Sequence, residues 1–143
     1  MDKMKMDDFL LMLLDASNGR IESETRIQKL TFLGIKEKGL PKVTQFVWEK
    51  YGPLSKDLWK TLRRMKNQGL LRIDEEERFT FIGDCYTVRV FELTDEGRLR
   101  ALELKGKFFN YFDVMQKLCY EYGKLPLDRL LEYVHTVYSP KDL

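Results

Sequence analysis

The residues between Lys56 and Asn67 carry the chemistry this chain displays most openly. At 100° per residue, Lys60, Arg63 and Asn67 project within about 40° of Lys56, and Arg64 lies nearby. Leu58, Leu62 and Met65 point the other way. Five cations (Lys56, Lys60, Arg63, Arg64, Lys66) and one anion (Asp57) fall between Ser55 and Gly69, a local net charge of +4. Ammonium and guanidinium groups take phosphate oxygens, and Arg or Asn can hold base edges bidentately. The matching chemistry is non-covalent contact with double-stranded DNA. The plain alternative is a solvated helix face in a chain rich in Lys and Arg.

Other chemistry is thinly supplied. Cys85, Cys119 and the single histidine, His135, have neither the spacing nor the neighbours of a zinc site or a nucleophile–base pair. The cysteines read as small buried hydrophobes, a disulfide between them being the lesser alternative, and His135 as a helix-surface or core-edge residue. Gly34 and Gly39 lack the spacing of a phosphate loop, and no G-x-S-x-G or H-E-x-x-H is present. Glu75, Glu76 and Glu77 crowd a turn rather than a cleft. Neither an enzyme nor a bound cofactor or metal is expected.

A chain of 143 residues fits one domain with a substantial core. Hydrophobic residues make up 43% and charged residues 34%, a globular rather than a disordered composition. Net charge is only +2, so affinity for nucleic acid must come from local clustering. No apolar run reaches the length of a membrane span, about 20 residues. The opening MDKMKMDDFLLMLLDAS lacks a signal-peptide cleavage site and suits an amphipathic helix, so a cytoplasmic protein is expected.

Elements follow from periodicity and punctuation. Phe9, Leu10, Leu13 and Leu14 mark a helix over about 7–17, stopped near Gly19. Ile27, Leu30, Phe32, Leu33 and Ile35 mark a second, from Ser23 or Glu24 to about Lys38, closed by Gly39. Thr44 to Glu49 reads as a short strand, with Tyr51-Gly52-Pro53 as a turn. Ser55 is a natural N-cap for the basic helix, and Gly69 ends it. Leu70–Ile73 and Arg78–Ile82 read as strands around an acidic turn, Asp74–Glu77. Gly83-Asp84 is a second turn, and Tyr86–Leu93 is the clearest strand, with a bulge expected near Phe91. Thr94 caps a helix whose Leu99 and Leu102 should face inward. Gly106 permits a break before an aromatic stripe from Phe108 to Tyr122. A last helix covers about 127–138.

Helix, helix, strand, basic helix and hairpin is the order of a winged helix-turn-helix variant, in which the helix before the hairpin enters the major groove. Leu58-x-x-x-Leu62, Gln68-Gly69-Leu70-Leu71, the hairpin and Leu93-Thr94-Asp95-Glu96-Gly97 together resemble winged-helix regulators of the MarR and PadR kind. Such regulators dimerise through flanking helices, a role the Phe108–Tyr122 stripe could fill. A narrower resemblance spans most of the chain. Arg26-Ile27-Gln28-Lys29-Leu30-Thr31-Phe32-Leu33 is similar to the "QKL-x-(Y/F)-L" helix of YwgA-like proteins and the related Panacea (SocA-like antitoxin) domain. Tyr51-Gly52-Pro53-Leu54-Ser55 matches their "YGP-x-S" turn. Leu130-Leu131-Glu132-Tyr133-Val134 with Tyr138-Ser139-Pro140 is similar to the YwgA-like tail, with a serine inserted before the proline. The resemblance implies regulators or antitoxin-like adaptors, the latter with a protein partner.

The expectation is therefore an α+β chain forming one domain over 1–143, with a winged-helix core to about 97 and C-terminal helices from about 98 that support a homodimer. Its function would be DNA binding as a transcriptional regulator, through Lys56, Lys60, Arg63, Arg64, Lys66 and Asn67, with Arg78 and Arg89 from the hairpin. The alternative is a protein-interaction module, antitoxin or adaptor, that keeps the fold without binding DNA. Asp74–Glu77 argues for the alternative, because a wing tip of that charge repels phosphate. The Tyr51-Gly52-Pro53 turn, Trp48 and Trp59 are read as architecture.

Overall fold

A computed structural model describes residues 3–143; Met1 and Asp2, the start of the opening segment, lie outside it. The chain is α+β. The first helix, α1 (Met6–Ala16), turns through Gly19, at φ +83°, into a strand β1 (Arg20–Glu22) that the sequence pattern does not announce. At three residues with charged ends, β1 has no alternation to betray it. Helix α2 (Glu24–Lys38) follows, capped by Ser23 Oγ, which accepts from the Arg26 amide at 3.4 Å, and ended by a left-handed Gly39.

A small hairpin of β2 (Val47–Glu49) and β3 (Gly52–Leu54) separates α2 from α3 (Lys56–Asn67). The expected strand over 44–49 is thus shortened, and Gly52-Pro53 belongs to the return strand rather than the turn. Next come β4 (Leu71–Phe79) and β5 (Cys85–Leu93), which join β1 in an antiparallel sheet of order β1-β5-β4. Helices α4 (Asp95–Lys107), α5 (Phe109–Leu118) and α6 (Leu127–Val137) complete the chain, with a π-helical turn (Cys119–Gly123) between the last two.

The structure departs from the sequence pattern at four points. Asp74–Glu77 is not a turn: it lies within β4, where Glu75 faces Arg89 and Glu77 faces Thr87. Arginines from β1, β4 and β5 offset the charge at the middle two of these acids, Glu75 and Glu76. The real turn is Thr80–Asp84, held by the Thr80 amide on the Asp84 carbonyl (2.8 Å), with Gly83 at φ +95°. No bulge interrupts β5, whose register with β4 runs one to one from Leu71–Leu93 to Phe79–Cys85. Leu99 and Leu102 do not face inward; they are 64% and 60% exposed, and Gly97, Ala101 and Leu104 take the core side. Gly106 stays helical, and the break falls at Phe108.

One apolar core runs from Met4 to Val134. It takes nearly every apolar residue of α1, the inner faces of α2 and α3, the base of the sheet, and Met115, Leu118 and Tyr122. The C-terminal helices share this core with α1 and α2, so the Phe108–Tyr122 stripe is largely spent within one chain. Of the cysteines, Cys119 is buried, while Cys85 is exposed near the hairpin tip, against expectation; both are free.

Candidate nucleic-acid interface

The start of α3 is fixed from below. Gln28 grips the Ser55 backbone with both ends of its amide: Oε1 accepts from the Ser55 amide (2.8 Å) and Nε2 donates to the Ser55 carbonyl (3.0 Å), with a second donation from Nε2 to Glu24 at 3.2 Å. Beside it, the buried Lys29 Nζ donates to the Pro53 carbonyl at 2.8 Å. Ser55 Oγ does not cap the helix; it bonds Thr44 Oγ1 at 2.6 Å. The Gln-Lys pair of α2 and the Gly-Pro-Leu-Ser segment are therefore two halves of one joint, which sets where α3 begins and how it points.

Helix α3 buries Leu58, Thr61, Leu62 and Met65 and leaves Lys56, Lys60, Arg63, Arg64, Lys66 and Asn67 exposed. These are the side chains the sequence places on one cationic surface. Arg64 is engaged, donating to Asp7 of α1 at 2.8 Å. Among the described residues, Lys56, Lys60, Arg63 and Lys66 have no carboxylate within ion-pair distance. A row of uncompensated cations is electrostatically costly unless water or an anionic partner faces it.

The hairpin splits the remaining two candidates. Side chains alternate across a strand, so Leu71, Ile73, Glu75 and Glu77 share a face with Phe91 and Arg89, and Arg72, Asp74, Glu76 and Arg78 share the other. Arg89 lies on the face turned to α3. Its guanidinium sits 4.6 Å from the centre of the Trp59 ring, which Arg63 approaches at 6.0 Å and Phe91 meets edge-on. Trp59 thus joins helix and sheet and lends its ring to both arginines. Arg89 also lies 3.9 Å from Glu24 and 4.0 Å from Glu75, at the limit of an ion pair.

Arg78 is elsewhere. It reaches Glu22 at 2.6 Å and Glu76 at 2.8 Å across the opposite face, where Arg20 in turn spans Glu22, Glu76 and Glu92. The paired arginines hold the Glu76 carboxyl below its usual range. Arg78 closes this network and does not join the α3 surface.

Sequence reasoning missed the hairpin tip. Phe79 and Ile82 are 67% and 81% exposed, Phe81 is fully exposed, and Tyr86 stands beside them. The signal is a Phe-x-Phe-Ile run ahead of Gly83-Asp84. It is masked because the composition of 78–82 equally fits an ordinary half-buried strand. Tip and basic helix do not form one cationic surface, because the strands between them carry more acids than bases.

A second polar cluster is structural. Glu37 of α2 accepts from Tyr122, Tyr133 (2.6 Å) and Tyr138 (2.5 Å), tying the π-helical turn and the latter half of α6 to α2. Burial pushes the Glu37 carboxyl up, and the three phenol hydrogen bonds outweigh it and hold the group below the carboxylate range. This accounts for two tyrosines of the tail motif. His135 is exposed, its Nδ1 2.9 Å from the Leu131 carbonyl and its ring edge-on to Trp48.

Among the described residues, no three His, Cys, Asp or Glu side chains are grouped so as to hold a metal ion, and no helix is long and apolar enough to cross a membrane. No family model, curated protein or solved structure matches the chain.

Proposed function

We propose that this chain is a winged-helix protein that binds double-stranded DNA through α3, as a cytoplasmic transcriptional regulator. The order α1-β1-α2-α3-β4-β5 with sheet order β1-β5-β4 supports the winged-helix reading, with β2–β3 as an insertion ahead of α3. The joint between Gln28-Lys29 and Pro53-Ser55 gives a physical reason for the two motifs shared with YwgA-like and Panacea proteins to occur together. The observation that carries the DNA reading is the exposed, uncompensated row Lys56, Lys60, Arg63 and Lys66, backed by a fully buried face and followed directly by a hairpin. In this reading Lys and Arg hold phosphates, while Arg63 and Asn67, exposed on the same helix face, would read base edges. Arg89 extends the surface from the sheet; Arg78 contributes only by holding the hairpin together.

Lys56→Glu, Lys60→Glu and Arg63→Glu combined are expected to lower affinity for a mixed-sequence duplex by on the order of a hundredfold or more at moderate salt, by fluorescence anisotropy. The circular dichroism spectrum should not change, since all three side chains are exposed. Undiminished binding would remove α3 from the interface.

The protein acts as a homodimer in this reading, matching a two-fold repeated DNA site. With the Phe108–Tyr122 stripe largely buried, the C-terminal helices still expose Leu99, Leu102 and Phe109 on α4 and α5, and these would form the dimer contact. Leu99→Asp with Leu102→Asp is expected to give a monomer by analytical ultracentrifugation, with thermal stability little changed. An unaltered sedimentation profile would place the dimer contact elsewhere.

The hairpin favours a second reading, a protein-interaction module. Acids on β4 repel phosphate, while Phe79, Phe81 and Ile82 offer apolar anchors. A stoichiometric protein partner that no longer binds after Phe81→Ser and Ile82→Ser, in a protein showing no salt-sensitive DNA shift, would favour this reading.

A further inference from the structure

A cavity of about 490 Å³ opens where the α1–β1 corner, α2 and the π-helical turn meet, within the range of small-molecule sites. Its wall carries three cations, Arg20, Arg26 and Lys124, and one carboxylate, Glu22. Glu22 is already engaged by Arg20 (3.1 Å) and Arg78 (2.6 Å). Arg26 and Lys124, by contrast, have no carboxylate within ion-pair distance among the described residues.

Arg26 is half-buried and only partly used. Its Nη1 donates to the carbonyls of Gly123 (3.2 Å) and Leu125 (2.6 Å), on either side of Lys124. Its Nη2 and Nε find no partner among the described residues, and a guanidinium has five donors to satisfy. These bonds satisfy carbonyls at the end of the π-helical turn and just beyond it, and they fix the guanidinium next to Lys124, whose ammonium lies 5.9 Å from the centre of the Tyr120 ring and has no carboxylate partner among the described residues. Ile21 and the ring of Tyr120 supply apolar wall. Cys119 also lines the cavity, but burial pushes its thiol pKa up, so it is not a nucleophile there.

We propose that this cavity binds a small organic monocarboxylate, its carboxylate held by Arg26 and Lys124 and its apolar body lying against Ile21 and Tyr120. A carboxylate supplies the acceptors that Arg26 lacks, and charge-assisted bonds at a half-buried guanidinium are stronger than at the open surface. The apolar wall gives no reward to a bare inorganic anion. The site is independent of the α3 surface and stands whether or not α3 binds DNA.

Phenylacetate, its neutral amide phenylacetamide, and inorganic phosphate are suitable probes, titrated into the full chain by amide NMR. Phenylacetate should give saturable shifts clustered at Ser17–Arg26 and Gln116–Lys124, and phenylacetamide should bind about tenfold more weakly or worse. Lys124→Gln, at an exposed position, should weaken phenylacetate by about tenfold without altering the fold. Gln116→Trp, which fills the cavity from an exposed helix position, should abolish binding. Absence of saturable shifts with phenylacetate, equal binding of acid and amide, or phosphate binding as tightly at the same residues would each overturn the proposal.

Discussion

Alanine at position 97 is expected to destabilise the protein by about 3 kcal/mol or more, a fall in melting temperature of roughly 10 °C. A Cβ built on Gly97 would stand 2.0 Å from the Leu70 carbonyl oxygen and 3.0 Å from its carbon. That oxygen cannot retreat freely. It accepts from the Thr94 amide at 3.1 Å, while Thr94 Oγ1 donates to the Gly69 carbonyl and accepts from the Gly97 amide. The end of α3, the base of the hairpin and the first turn of α4 therefore meet at one point with no room for a methyl group. Helix propensity acts the other way, since alanine is favoured over glycine by about 1 kcal/mol, but overlap with a fixed backbone atom wins. Gly106→Ala is the control: among the described residues nothing lies within 4 Å of an added Cβ, and it should stabilise by roughly 0.5–1 kcal/mol. Equal melting temperatures for wild type and Gly97→Ala would refute the packing described for this junction.

The second large effect concerns pH. Lys29 is 1% exposed, and burial lowers its pKa from 10.5 to about 8, with Glu24 opposing the shift in part. Between about pH 8 and 10.5 the unfolded chain therefore holds more protons at this site than the folded chain. Stability must rise with pH wherever the unfolded state binds more protons. The cost of burying the charged amine is present in full below pH 8 and is relieved as pH climbs through the window. Urea unfolding of wild type and Lys29→Met in parallel removes the contribution of every other titrating group. The stability of wild type relative to the variant should increase by on the order of 2–3 kcal/mol between pH 7.5 and 10.5. Curves that stay parallel would mean that Lys29 titrates normally and is not desolvated by its burial.

Much of this architecture is legible from residue types alone. Phe9–Leu14, Ile27–Leu33 and the amphipathic α3 announce themselves by spacing, and Gly39, Gly69 and Thr94 stand where the helices stop and start. Local rules failed where tertiary contacts decide. Asp74–Glu77 looks like a turn by composition, yet Arg20 from β1, Arg78 and Arg89 make it a strand, and the first of these is more than fifty residues away. Leu99 and Leu102 look like core by type, but Gly97 is the residue that must approach the hairpin base. This rotates α4 so that both leucines face out.

The cationic face of the candidate interface was legible because helical projection needs no tertiary information. The side on which Arg78 lies was not, because strand parity depends on register. Arg78 stands opposite Tyr86 and Arg89 opposite Glu75, in a hairpin whose true turn lies at Thr80–Asp84, and that turn fixes which face each arginine joins. The role of Gln28 and Lys29 was equally hidden: in sequence they are polar residues on a helix, and only the fold brings the Pro53 and Ser55 backbone to them.

In the proposed DNA complex, α3 presents its cations to phosphates. The salt dependence of duplex binding, measured side by side for wild type and the Lys56→Glu, Lys60→Glu, Arg63→Glu variant, reads those contacts out. Removing one cation–phosphate pair should reduce the magnitude of the slope of log affinity against log salt by about 0.9. Wild type should therefore show a steep negative slope, and the variant one shallower by roughly 2.7. Equal slopes, or a wild type whose binding does not respond to salt, would mean that α3 does not face phosphates.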